Sequence, residues 1–428
     1  MQLKPHQITG AQWLASKRHA LLADQPRVGK TLTALTAAKY ADARRILIVC
    51  PAIARLNWAR EVAHSFGPVS TITTGAELKA AERSFARTGV TITSYGLVPN
   101  QEAAPWDLLI SDESHFLRNR SSGRTKKMLG TGGLIHRALR AWLLSGTPAV
   151  NHAAELWPVL RVFGIYRDSY EKFVREFCTS YTGPYGQVIT GSKNHEALRT
   201  LMAPIYLRRT LAEVAPDLDP IEFEEYALDG AAVAFPAYEV SLVEAALASP
   251  DPAAALETVG PATATLRRLA GVSKAPLAIE LLRSELLVGT YKLVVFAVHR
   301  EVVVALANGL SAFYPAVVNG AVSGKDRDEA VRRFQTDPTC RVFIGNVQSA
   351  GTAIDLSMAD EAVFVESAWT PADNEQAAMR IQNIESKTPK FVRFLGLGGT
   401  IDEKIQRVNL RKTADLSAIF DKQEAPCR

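Results

Sequence analysis

The sequence predicts an α/β protein with two mainly parallel sheets, helices on both faces of each, and a small helical insertion. Three observations predict it. Short apolar runs rich in β-branched residues recur between turn residues, and helix-length stretches separate them. The alternation occurs twice, in roughly the first 210 residues and again from about 290 onward, as expected for parallel strands joined by crossover helices.

The strand runs of the first half are Leu21-Leu22, Ile46–Val49, Thr91–Thr93, Leu108–Ile110 and Trp142–Leu144. Those of the second are Leu293–Phe296, Val342–Ile344, Val363–Val365 and Phe391–Phe394. Thr31–Tyr40, Asn57–Ser65, Arg300–Ala312, Asp326–Gln335 and Asn374–Ile381 read as the helices. Between the halves, Ala231–Pro261 is rich in Ala and Pro, with Pro236, Pro250 and Pro252 punctuating helix-forming segments, so a helical insertion is expected at about 229–275. A connector through Pro216–Pro220 divides a first lobe, 1–215, from a second, 216–428. Ile401–Leu410 has the pattern of a closing amphipathic helix, and Glu424–Arg428 that of a frayed tail.

The 428 residues, 47% hydrophobic and 22% charged, form a core large enough to need no disulfide or metal staple, and they exclude collagen, low-complexity and coiled-coil classes. No apolar run has the length of a membrane span, and Met1–Gln12 lacks a signal-peptide pattern. Lys plus Arg number 49 against 44 for Asp plus Glu, a net charge of +5, which is a mild bias compatible with a polyanion partner. Cys50, Cys178, Cys340 and Cys427 lie far apart with no CxxC pair, so the expected compartment is reducing and cytoplasmic.

Two segments carry chemistry. Asp24-Gln25-Pro26-Arg27-Val28-Gly29-Lys30-Thr31 follows an apolar strand and opens a helix, the arrangement that cradles phosphates. Its backbone N–H groups face the anion, Lys30 reaches the terminal phosphates and Thr31 ligates Mg²⁺. Asp24 stands where the strict pattern has its first Gly. Asp112-Glu113 closes the strand run Leu108–Ile110, where open α/β sheets bind ligands. Asp112 would hold Mg²⁺ through water, and Glu113 would orient and activate the attacking water. Together the two segments imply hydrolysis of a nucleoside triphosphate. Ser145-Gly146-Thr147-Pro148, after a third strand, supplies hydroxyls suited to sensing the γ-phosphate.

Set in order, the motifs resemble those of superfamily 2 helicases, and among them the Swi/Snf-type DNA-dependent ATPases, closest to the annealing-helicase-like branch. Leu3-Lys4-Pro5-His6-Gln7 with Gly10 resembles the family's adenine-reading entry, Gln7 being the base contact. Cys50-Pro51 with Asn57-Trp58 and Glu61, the DExH box Asp112–His115 with Arg118-Asn119, and Ser145–Pro148 with Asn151 and Glu155-Leu156-Trp157 follow its first lobe. Leu207-Arg208-Arg209 resembles the close of that lobe. In the second half Lys292–Phe296 with His299, Gly320 with Arg327 and Phe334, Ser349–Thr352, Ala359-Asp360, Trp369-Thr370-Pro371, Gln376-Ala377 with Arg380, and Gly399–Glu403 are similar to the second-lobe motifs.

The resemblance implies two RecA-like lobes with ATP and Mg²⁺ between them and double-stranded or branched DNA across both, serving replication, recombination or repair. It implies a catalytic set of Lys30, Asp112, Glu113 and Arg380, and a coupling set of His115, Ser145, Thr147 and Gln376. Ser94, Tyr95, Arg118, Arg120, Lys325 and Trp369 fall at its strand-contact segments, with Arg124, Lys126, Lys127 and Asn319 nearby. The chain departs from the pattern at Gln25, Pro26 and Arg27 in the phosphate turn and at Asn383, where a second arginine is usual. An arginine finger is worth about 10³–10⁵ in rate, so the alternative is a degenerate member that binds DNA or a protein partner with little hydrolysis. The lack of chromatin-reading segments points to a prokaryotic or viral setting.

Overall fold

The computed structural model describes residues 3–404 except 68, 73, 85–88, 99–104, 184–185, 230–233, 250–251, 290–291, 321, 323, 351–353, 387, 399 and 401. Among the described residues the chain divides into two compact units. One takes Met1–Thr182 and Gly191–Val214, the other Gly183–Thr190 and Ala215–Ala414.

The first unit is built on strands β1 (His19–Leu22), β2 (Arg45–Cys50), β3 (Val69–Thr71), β4 (Gly89–Ser94), β5 (Trp106–Asp112) and β6 (Ala138–Leu144). β7 (Cys178–Gly183) and β8 (Gly186–Ser192) form a separate two-stranded sheet, and β9 (Tyr206–Leu207) returns to the main one. The order is β3-β4-β2-β5-β6-β1-β9, with every pairing parallel. All six residues of β2 are buried, which requires cover on both faces and explains why Ile46–Cys50 reads as an unbroken apolar run after Arg45. Three helices matter for the site: α1 (Pro5–Ala15), α2 (Lys30–Tyr40) and α3 (Arg55–Phe66). Pro5 begins α1 at its first turn, where the missing N–H costs nothing.

The second unit contains β10 (Ile221–Leu228), β11 (Leu293–Ala297), β12 (Ala316–Val318), β13 (Val342–Asn346), β14 (Glu361–Phe364) and β15 (Lys390–Leu397), ordered β10-β15-β14-β11-β13-β12 and parallel. Alternate strand residues feed two separate cores. Val294, Phe296, Phe343, Phe364, Val392 and Phe394 lie in one, Leu293, Val295, Val342, Ile344, Val363 and Leu395 in the other. The two-residue period of a strand buried on both faces produces this division.

The structure adds an edge strand the pattern did not predict, and the helices found in the expected insertion, Ala237–Leu247, Pro252–Thr258 and Gly260–Val288, run past its expected end at about 275. β10 is an edge strand with exposed residues on both faces, Glu222, Glu224 and Glu225 among them, so it offers no apolar run. The helix Gly260–Val288 runs 29 residues straight through Pro276. Packing of Ala275, Ala278, Leu282 and Leu286 against the sheet outweighs the lost hydrogen bond. The helix expected at Asn374–Ile381 starts earlier, at Pro371, because proline there is pre-set for a first turn, and it ends at Ala378. Of the expected closing helix, Asp402–Lys404 are helical, and the rest with the tail Glu424–Arg428 lies outside the described residues.

Candidate nucleotide site

The sheet order assembles the site in the first unit. β5, β6 and β1 are neighbours, so the segments after Asp112, Leu144 and Leu22 emerge side by side at the carboxyl ends of adjacent strands. Residues more than a hundred positions apart in sequence are thereby brought to one edge.

The turn from β1 into α2 is held by side chains of its own and of neighbouring segments. Gly29 caps α2 in the left-handed region at φ 96°, and Arg27 is left-handed at 72°. Lys30 Nζ donates to Asp24 O (2.8 Å) and Gln25 O (3.1 Å). Asp24 is fully buried, and Arg209 Nε donates to its Oδ1 at 3.0 Å while Nη2 donates to Oδ2. The Asp24 carboxylate, expected within the phosphate turn, builds that turn through Arg209. Gln25 Oε1 accepts from Leu211 N at 2.7 Å, and Arg208 Nη1 donates to Ala23 O and Gly146 O at 3.1 and 3.0 Å. A Cβ on Gly146 would meet Pro26 Cδ at 3.0 Å, so glycine lets the Ser145–Pro148 segment close on the turn. His6 Nε2 donates to Val28 O at 3.0 Å, which fixes α1 against the turn. Gln7 is buried; its Oε1 accepts from Lys4 N at 3.0 Å, and its Nε2 lies 2.3 Å from where a Gly29 Cβ would stand. Thr31 follows Lys30 in the first turn of α2.

The acidic pair ends β5. Glu113 is left-handed at φ 49° and starts a 3₁₀ turn, Ser114–Leu117, a backbone state uncommon for a non-glycine residue. Burial, then the charge of Glu113, pushes the Asp112 carboxyl up to about 6, against the pull of the Trp58 hydrogen bond and of Lys30. Trp58 Nε1 donates to Asp112 Oδ2 at 2.7 Å. His115 Nδ1 lies 3.3 Å from Glu113 Oε2 and 3.1 Å from Ser145 Oγ, and Thr147 N donates to that same Oγ at 3.2 Å. Glu155 gathers the following segment, accepting from Val150 N, Asn151 N and Asn151 Nδ2 at 2.6, 3.1 and 2.7 Å.

Two adjacent carboxylates, one of them raised by the other, beside a lysine and a helix N-terminus suit a polyphosphate with a divalent cation. Among the described residues no cluster of three or more His, Cys, Asp or Glu forms a protein cage for a metal. Mg²⁺ fits such a site, since it takes one or two protein ligands with phosphates and waters.

The residues expected on a strand track divide between the units. Ser94 is buried at the end of β4. Tyr95 is also buried, its hydroxyl on Asp112 O, which corrects the expectation of a surface contact. Arg118 pairs with Glu155 at 3.4 Å, and Arg120 lies 3.8 Å from Glu171 and over the Tyr170 ring. In the second unit Lys325 is exposed, whereas Trp369 packs against the core of Val243, Leu256 and Leu266 beneath Arg267. Gln376 is buried and Arg380 half-buried, the Arg380 backbone joining Ala377 O and Leu356 N. Gly351–Ala353 and Lys387 lie outside the described residues. Trp58, His6, Arg208 and Arg209 stand in the quoted motifs, but their roles depend on partners as far as 203 positions away, beyond what spacing reveals.

The SNF2-related domain model matches residues 6–240, more than half of the chain. The chain belongs to the SNF2-related family. It is 27% identical over 426 residues to human "DNA annealing helicase and endonuclease ZRANB3", covering 94% of this chain and 39% of that protein. It is 30% identical over 424 residues to the Xenopus laevis "SWI/SNF-related matrix-associated actin-dependent regulator of chromatin subfamily A-like protein 1", covering 94% and 42%. The chain thus spans less than half the length of these relatives. They are animal proteins and lend no support to a prokaryotic or viral setting. The solved "Sulfolobus solfataricus SWI2/SNF2 ATPase core in complex with dsDNA" aligns over 99% of this chain and 98% of that one, at 19% identity and a TM-score of 0.45. Among the described residues no helix is long and apolar enough to cross a membrane.

Proposed function

We propose that the chain is an ATP-dependent translocase on double-stranded or branched DNA, working with Mg²⁺ in replication, recombination or repair. The observation that carries this is the bringing of Lys30, at the start of the helix after β1, and of Asp112 and Glu113, at the end of β5, to one edge of a family member's sheet, with β6 between the two strands. The names of the annealing-helicase relatives support DNA as the polymer.

The roles follow from the chemistry. N–H groups of the 24–31 turn and Lys30 hold the phosphates, and Gln7 reads the base. Thr31 and Asp112 would hold Mg²⁺, which when bound neutralises phosphate oxygens. Glu113 accepts the proton of the attacking water, and His115 sets the rotamer of that carboxylate through its contact with Ser145. Arg380 neutralises charge on the γ-phosphate. Arg118, Arg120 and Lys325 contact strand phosphates.

ATPase rates on fork, linear duplex, single-stranded DNA and RNA at one salt concentration test the reading. Duplex or fork should stimulate most, and Lys30→Ala and Glu113→Gln should each lose roughly 10²–10⁴-fold. Turnover indifferent to every nucleic acid contradicts it.

One observation favours a second reading, a binder with little hydrolysis. Asn383 Oδ1 accepts from Glu385 N at 3.3 Å and its N donates to Ser386 Oγ at 3.1 Å, so the residue at the second arginine position builds a turn.

A further inference from the structure

Asp112 is held at both ends by groups with no other part in the site. Trp58, on α3, is 1% exposed, and its single N–H is spent on Asp112 Oδ2 at 2.7 Å. An indole donates and cannot accept, so this carboxylate oxygen has a fixed partner that holds the side chain in place. Tyr95, just past β4, is 6% exposed, with its hydroxyl 2.7 Å from Asp112 O and 2.8 Å from Ser111 Oγ. A carbonyl only accepts, so the proton order runs from Ser111 to Tyr95 to Asp112. One clamp thus orients the carboxylate and the other fixes the backbone that carries it.

We infer that Trp58 and Tyr95 are positioning residues that hold Asp112 in the one orientation that takes Mg²⁺ with a nucleotide. The inference rests on the nucleotide-site reading above. Groups that orient a metal ligand are commonly worth 10–100-fold in metal affinity.

The test is Mg²⁺ titration of a fluorescent ADP analogue bound to the full chain, without DNA. Trp58→Phe removes the N–H and keeps an aromatic ring; it should raise the Mg²⁺ midpoint about tenfold while leaving affinity in EDTA unchanged. Tyr95→Phe removes one oxygen and should shift the midpoint the same way, deciding the matter even where Trp58→Phe does not fold. On an Asp112→Asn background neither change should shift it further. Equal weakening with and without Mg²⁺ would mark a merely structural role and overturn the inference. Wild-type protein that binds no nucleotide overturns both readings, whereas normal binding with unmoved midpoints overturns this one alone.

Discussion

Asp112 has a carboxyl raised from 3.8 to about 6 by burial and by Glu113. A folded value above the unfolded one means the folded state binds more protons between these limits, so stability falls as pH rises through that window. Without nucleotide, Asp112→Asn should therefore melt above wild type at pH 7, with the gap closing below about pH 4. Calorimetry across pH checks this, and a gap that widens on acidification contradicts it. Asn383 is the other residue whose chemistry can be isolated. Asn383→Arg should raise the DNA-stimulated rate roughly tenfold or more, short of the about 10³–10⁵ of a fully placed finger; an unchanged rate in a stopped-flow phosphate assay shows that no finger is missing there.

The phosphate turn is the element on which the account leans, and it is stabilised from α1 and β9 as much as from its own sequence. Replacing Gly29 by Ala places a Cβ 2.3 Å from Gln7 Nε2 at a left-handed φ of 96°. The expected result is lost nucleotide affinity with about 1–3 kcal/mol of strain, read by nucleotide binding and thermal melting. Arg209→Met leaves the buried Asp24 carboxylate without its partner, and about 3–5 kcal/mol of stability should go with it. Asp24→Asn combined with Arg209→Met should cost less than the sum, since no charge is stranded. At this scale the sequence was partly legible. The strand before the turn, the Gly-Lys-Thr helix start and the acidic strand end stand out because local propensity and pattern agree there. The Arg209–Asp24 pair and the Trp58–Asp112 bond did not, because sheet order brings their partners together across long sequence separations. β10 and the continuation of the insertion's last helix past Pro276 were hidden for another reason: an acidic edge strand has no apolar signature, and packing overrode a local breaker.

For the whole molecule, the doubled strand–helix alternation was the most legible feature, since both sheets are parallel and buried and so spell out continuous apolar runs. Each unit has its own sheet, and the residues proposed for phosphate, metal and water lie in the first, with Arg380 in the second. If the proposed phosphate contacts supply DNA affinity, that affinity falls with salt in proportion to their number. Single-turnover cleavage of ATP with linear duplex DNA, wild type against Glu113→Gln, tests the central claim most directly. The account predicts cleavage in the wild type that duplex accelerates and the Glu113 change removes. Nucleotide that stays bound and intact in the wild type with duplex present would contradict it.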